Sequence, residues 1–280
     1  MNDFLDQASL NRLVQEFPAF DRKWAVNEAG IVGRKSAIPE IAKIGPAYQE
    51  FDRMMQAREF LAEVGQITGI DSLLYDPAYV GGGTHENLDG QDLDLHVDFN
   101  FHPSKGWHRR LNLIVFLNPV WHADWGGCLE LHKDPWDPSR DEVVTVVPEL
   151  NRAVIFETTE NSWHGFRRIT LPDDRKTTSR KSLAVYFYTK TRPAEETAAP
   201  HATVYVPQAL PPHLEAGRTL TADDVTALQV MVERRNAQMR FLYEREIEFS
   251  QALSEMRDSL SFRAGRVLTG PLRWLRDRLK

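Results

Sequence analysis

His96 and Asp98 in the segment LDLHVDFNF, with His164 far downstream in NSWHGF, are the residues whose types and spacing could do chemistry. Side chains two apart on a strand point to the same face, so an H-x-D pair can grip one metal ion while a distant histidine closes the triangle. Two imidazoles and one carboxylate leave coordination positions open, which suits non-haem Fe(II) that must bind a co-substrate and O2 together. The chemistry implied is oxidation. H-x-D alone is a weak pattern. Leu93, Leu95, Val97, Phe99 and Phe101 alternate with Asp94, His96, Asp98 and Asn100, as on any half-buried strand with a solvated face. Against that plainer reading, Asp and Asn are depleted in strands unless something local stabilises them.

Arg180 and Ser182 in TTSRKSLAVYFYTK add a second element. On a strand they share a face with Ala184 and Tyr186, while Leu183, Val185 and Phe187 take the other. A guanidinium fork beside a hydroxyl makes a carboxylate clamp. With these parts in order (H96-V-D98, the strand G126-G-C-L-E-L131, His164, then R180-K-S182), the chain resembles the 2-oxoglutarate and Fe(II)-dependent oxygenase superfamily, in its prolyl-4-hydroxylase-like branch. The resemblance covers residues 71 to 207, including the apolar strands RRLNLIVFLN and NRAVIFE. It implies an α+β fold with a double-stranded β-helix (jelly-roll) core. It also implies Fe(II) held by His96, Asp98 and His164, and 2-oxoglutarate as co-substrate, anchored by Arg180 and Ser182. O2 would be the oxidant, ascorbate an auxiliary reductant, and the outcome hydroxylation of a substrate with release of succinate and CO2. Asn112 and Tyr186 are further candidates at the mouth of the pocket, as are Thr84, His85 and Gln91. Several relatives carry the basic clamp closer to the distal histidine, which keeps Arg175, Lys176 and Lys181 as lesser candidates. Asp98 favours hydroxylation over halogenation, since related halogenases lack the carboxylate ligand.

The other histidines, His85, His102, His108, His122, His132, His201 and His213, have no second ligand at a metal-binding spacing and default to surface or core roles. His85-Glu86 lacks the second histidine of a zinc-hydrolase helix. Trp107, Trp121 and Trp125 flank the strands and are assigned to packing. Two competing readings remain open. One is a non-catalytic jelly roll that binds a glycan or a protein partner; the other is a cupin-like enzyme using the same metal without 2-oxoglutarate. Arg180 and Ser182 argue against the second.

A chain of 280 residues with 42% hydrophobic and 26% charged content can bury a full core. The single cysteine, Cys128, cannot form an internal disulfide and fits a reducing, cytoplasmic setting. No apolar run is long enough to span a bilayer, and the first residues lack a signal-peptide core. Residues 1–70 are expected to be helical support, with Tyr48, Phe51, Met55, Leu61 and Val64 at helical intervals. Residues 71–207 form the core and proline-rich 208–220 a linker. Residues 221–262 follow a heptad seam through Val225, Leu228, Val232, Arg235, Met239, Leu242, Glu246, Phe249, Leu253, Met256 and Leu260, apolar except at Arg235 and Glu246, which weaken it, and opened by a capping-box start at Thr221 and Asp224. That helix either self-associates into a homo-oligomer or docks on its own core, and self-association is the preferred reading. Residues 263–280 are basic and amphipathic, in a chain of net charge −6. They either rest on anionic lipid at the inner membrane face or form a solvated tail. The tail is similar to those of bacterial surface-polysaccharide enzymes, which tilts the substrate towards a glycan, a lipid-linked glycan or an amino-acid-derived small molecule. Nucleic acid is not favoured, since no basic patch with stacking aromatics accompanies the core.

Overall fold

A computed structural model describes residues 1–20, 36–207, 209–211 and 213–265. They divide into two compact units, Met1–Pro212 and His213–Lys280.

In the first unit, α1 (Gln7–Gln15) is opened by Asp6, whose carboxylate accepts from the Ala8 and Ser9 amides. The helical pattern of residues 48–70 resolves into α2 (Pro46–Gln56) and α3 (Arg58–Thr68). The break is Ala57, whose extended backbone (φ −61, ψ 135) turns the chain. Gly69 ends α3 in the left-handed conformation (φ 71) that glycine adopts without penalty. Residues 1–70 are not wholly helical: β1 (Ser36–Ile38) joins a sheet edge.

Strands β2 (Leu74–Tyr75), β3 (Gly83–Asn87), β4 (Leu93–Val97), β5 (His108–Phe116), β6 (Leu129–His132), β7 (Val143–Val146), β8 (Ala153–Glu157), β9 (Trp163–Phe166), β10 (Arg180–Thr189) and β11 (Val204–Tyr205) follow. They form two antiparallel sheets. The larger has the order β1-β3-β10-β5-β8, with β2 also on β10, and the smaller has the order β11-β4-β9-β6-β7. From β3 to β11 the chain crosses between sheets at every connection except the β6–β7 hairpin. That winding is a double-stranded β-helix, and the fold is α+β as expected.

The alternation within β10 fixes the architecture. Leu183, Val185 and Phe187 are at most 1% exposed and pack with Leu111, Leu113, Val115, Tyr48, Phe51 and Met55, so the helices cover the outer face of the larger sheet. Tyr75 and Tyr79 latch α2 further by donating to Asp52. The opposite face of β10 is left to line the space between the sheets.

The second unit is dominated by α4 (Ala222–Asp258). Thr221 and Asp224 close its capping box, the Thr221 hydroxyl accepting from the Asp224 amide and the Asp224 carboxylate accepting from the Thr221 amide. Its apolar residues stand exposed, among them Val232, Met239, Leu242, Phe249 and Leu253. No helix among the described residues is long and apolar enough to cross a membrane. Most of the basic tail, 266–280, lies outside the described residues.

Candidate metal centre and co-substrate pocket

A pocket of about 380 Å³ lies between the two sheets. Its floor is read directly from the strand registers. Arg180, Ser182, Ala184 and Tyr186 of β10 lie between Asn87 and His85 of β3 and Phe116, Ile114 and Asn112 of β5. The smaller sheet contributes Leu93, His96, His164, Phe166 and Leu129.

His96 and His164 are directly paired across β4 and β9. Asp98 lies one residue past β4, and ligand atoms of all three residues fall within 4.8 Å of one another. The His96 Nδ1 donates to the Asp94 carbonyl at 2.9 Å and the His164 Nδ1 to the Ser162 carbonyl at 2.8 Å. A carbonyl only accepts, so both imidazoles carry their proton on Nδ1 and present the Nε2 lone pair inward. Those Nε2 atoms face Asp98 at 3.7 and 3.4 Å. Burial and the neighbouring His96 push the His164 imidazole down to about 3, which keeps it neutral. Burial also acts to raise the Asp98 carboxyl, but the Arg109 guanidinium, helped by the hydrogen bond from the Asn112 amide, outweighs it and holds it well below the usual carboxylate range. Three lone-pair donors thus converge with no proton between them, an arrangement that a divalent cation satisfies.

Arg109 was not singled out in the sequence. Its Nη2 donates to Asp98 Oδ2 at 2.9 Å, and its Nε and Nη2 both donate to Asn112 Oδ1. Asn112 Nδ2 in turn donates to Asp98 Oδ2 at 2.8 Å. Asn112 therefore buttresses the carboxylate. The Arg109 guanidinium is sandwiched between the rings of Tyr186 (3.5 Å) and Phe99 (4.5 Å). Tyr186 lines the pocket, and its hydroxyl donates to the Gly81 carbonyl. Two β-bulges bring these groups inward. One extra residue on β4 between Leu93 and His96 puts both on the pocket side, and a register shift that skips Arg110 puts Arg109 beside Asn112. β11 adds Tyr205, opposite His96 with ring centroids 5.2 Å apart, and the preceding Thr203 completes the wall.

Arg180 is 4% exposed, and among the described residues no carboxylate pairs with it. Its Nε donates to the Gly127 carbonyl at 2.6 Å, and its guanidinium lies over the Phe166 ring at 4.4 Å. Burial pushes it down to about 10, still a cation at neutral pH. A buried, unpaired guanidinium beside the Ser182 hydroxyl fits an incoming carboxylate. Gly127 makes room for it: a Cβ there would stand 3.2 Å from Arg180 Cδ, at a backbone φ of +68 that glycine tolerates. The lesser clamp candidates point elsewhere. Arg175 pairs with Asp174, Lys176 with Asp89, and Lys181 lies over the Phe17 ring. His85 faces the pocket, whereas Thr84 is turned into the core side of β3 and Gln91 closes a turn on the Leu88 amide. Trp121 and Trp125 pack together in a core cluster with Phe166, Ile169 and Leu171.

The double-stranded β-helix thus sets three metal-ligating groups and a buried arginine without an acid partner in one pocket, an arrangement that fits a metal ion and a carboxylate ligand together. Residues 83–188 match the family model described as 2OG-Fe(II) oxygenase superfamily. Its members use Fe(II), 2-oxoglutarate and O2. Over 81 residues the chain is 33% identical to mouse (Mus musculus) prolyl 3-hydroxylase OGFOD1, a match spanning 29% of this chain and 14% of that protein. Similar solved structures include HygX from Streptomyces hygroscopicus with nickel and 2-oxoglutarate bound (14% identity, 74% of this chain and 90% of that one, TM-score 0.46). Another is a Pseudomonas putida prolyl-4-hydroxylase (16% identity, 68% and 90%, TM-score 0.40).

Proposed function

We propose that the chain is a 2-oxoglutarate- and Fe(II)-dependent hydroxylase in which His96, Asp98 and His164 hold the metal and Arg180 with Ser182 receives the distal carboxylate of the co-substrate. The observation that carries the reading is the convergence of two Nδ1-protonated imidazoles on one ionised carboxylate, in the same pocket as a buried arginine without an acid partner. With Fe(II) and 2-oxoglutarate bound, the chemistry supplied is oxidative decarboxylation: one oxygen atom of O2 ends in succinate with loss of CO2, and the other converts a substrate C–H to C–OH.

The protein's own share is orientation and protection. The Asp94 and Ser162 carbonyls fix the imidazole tautomers, and Arg109 with Asn112 holds Asp98 ionised. Phe166 and Leu129 in the pocket wall, with the Phe116 ring beside the Arg180 guanidinium, keep the surroundings of Arg180 apolar, which strengthens its attraction for a carboxylate. We read the side of the pocket lined by Tyr205, Thr203, Phe99 and Tyr186 as the one a substrate would occupy. We read that substrate as a glycan, a lipid-linked glycan or an amino-acid-derived small molecule. The setting we read is cytoplasmic, with 221–262 as a self-association helix and 263–280 as a peripheral membrane contact.

The test is succinate formation from 2-oxoglutarate by purified protein supplied with anaerobic Fe(II) and ascorbate, beside Asp98→Ala. Succinate above the Asp98→Ala background is expected. Equal rates in the two proteins, with no bound metal in either, would leave a non-catalytic jelly roll as the better reading.

A further inference from the structure

The outer face of the smaller sheet carries a second cleft, of about 580 Å³, that the oxygenase chemistry does not use. Trp163 precedes His164 on β9. Because successive strand residues face opposite ways, its ring lies outside the sheet while His164 points to the metal centre. Trp136, 57% exposed, meets Trp163 edge to face, with ring centroids 5.8 Å apart and planes at 87°. The two indoles form an L-shaped aromatic corner. A tryptophan this exposed leaves a large apolar surface in water unless something covers it.

The rest of the lining decides what that is. Lys133 and Arg140 balance Asp134 and Glu142 in formal charge, and Lys133 is already paired with Glu142 at 2.5 Å. A cleft of no net charge favours neither a cationic nor an anionic ligand. Among the described residues, the Asp134 carboxylate, the Arg140 guanidinium and the Asn161 amide have no hydrogen-bond or ion-pair partner. All three are planar groups able to bond two adjacent hydroxyls at once. Apolar ring faces bordered by such groups complement a pyranose, which has an apolar C–H face and a rim of hydroxyls.

The loop that carries Trp136 and Arg140 is held before any ligand arrives. Asp141 accepts from the Lys133 and Asp134 amides and bonds His132 at 2.5 Å, and the other nitrogen of that imidazole lies 3.3 Å from Glu130. Asp137 caps the Ser139 amide in the same loop. Little ordering entropy remains to be lost on binding. From this geometry we infer that the Trp136–Trp163 cleft is a binding site for a neutral saccharide, separate from the metal pocket and independent of turnover.

Calorimetric titration and saturation-transfer NMR of the full chain with cellotetraose, maltotetraose, mannotetraose and tetra-N-acetylchitotetraose test this, with choline chloride and inorganic phosphate as charged comparisons. At least one saccharide is expected to bind with Kd near or below about 1 mM. Trp136→Ala and Arg140→Ala should each weaken it at least tenfold, with melting temperature and 2-oxoglutarate binding unchanged because both side chains are exposed. The inference fails if none of the four saccharides binds, if either variant binds as the parent does, or if choline or phosphate binds in their place. None of these readouts requires iron, so they are decided apart from the oxygenase activity.

Discussion

At the residue scale, Arg109 carries more of the site than any residue chosen from the sequence except the three metal-ligand candidates. Its buried guanidinium is the cation that keeps Asp98 ionised. Arg109→Met leaves a buried carboxylate without its partner, at a cost of about 3–5 kcal/mol. Burial then acts on Asp98 without the opposing guanidinium charge and with only the Asn112 hydrogen bond against it, so the acid limb of metal binding should move to higher pH. Mn(II) titrations from ~pH 5 to ~pH 8 are expected to show weaker binding with that shift, and an unchanged profile would remove Arg109 from the role. Lysine should not restore it, since a point charge cannot hold Asp98 and Asn112 together.

His164 gives a pH signature of a different kind. Its folded value, about 3, lies below that of an unfolded histidine, so the unfolded state takes up the proton first as pH falls. Stability of the metal-free protein should therefore decline from ~pH 6.5 towards ~pH 3, with a slope of at most about 1.4 kcal/mol per pH unit from this group. Melting curves across that range should be measurably flatter for His164→Gln; equal slopes would mean that the imidazole is not held neutral by burial.

At the element scale, strand parity made half of the pocket legible and concealed the other half. β10 alternates without interruption from Arg180 to Phe187, so the sequence alone separates the pocket residues Arg180, Ser182, Ala184 and Tyr186 from the core residues Leu183, Val185 and Phe187. On β4 and β5 the bulges break parity. Leu93 therefore lines the pocket against the expected alternation, and Arg109 turns inward while Arg110 forms ion pairs with Glu157 and Glu196. A one-residue bulge leaves no periodic trace. Tyr205 and Thr203 escaped for another reason: β11 pairs with β4 through contacts distant in sequence, which local pattern cannot encode.

Gly165 is the visible mark of the β4 bulge. A Cβ there would stand 2.6 Å from the Leu93 carbonyl oxygen, a backbone atom that cannot move without disturbing the strand that holds His96. Gly165→Ala is expected to destabilise by about 1–3 kcal/mol, at roughly 2–4 °C per kcal/mol for a unit of this size. It should also weaken metal binding by altering the His96–His164 register. Unchanged melting and metal affinity would show that the β4–β9 contact is looser than its geometry implies.

At the scale of the whole molecule, the two units separate the pocket from the long helix. All the residues that line the pocket lie within Met1–Pro212. Removing residues 213–280 is expected to leave the melting transition of the core and its 2-oxoglutarate affinity unchanged. If α4 is a self-association helix, the same truncation should convert an oligomer to a monomer in light scattering. Its exposed Met239, Leu242, Phe249 and Leu253 supply the apolar surface for that association. A full-length chain that is already monomeric would withdraw that role from the helix.

The most direct test of the central claim is an anaerobic titration of Fe(II) and then 2-oxoglutarate into the purified protein, followed by visible absorption. The parent chain should bind one Fe(II) and develop a metal-to-ligand charge-transfer band on adding 2-oxoglutarate. Asp98→Ala should lose the metal, and Arg180→Ala should keep the metal but require at least tenfold more 2-oxoglutarate. A parent protein that retains no Fe(II) and gives no band, or an Arg180→Ala variant that titrates as the parent does, would contradict the assignment of this pocket.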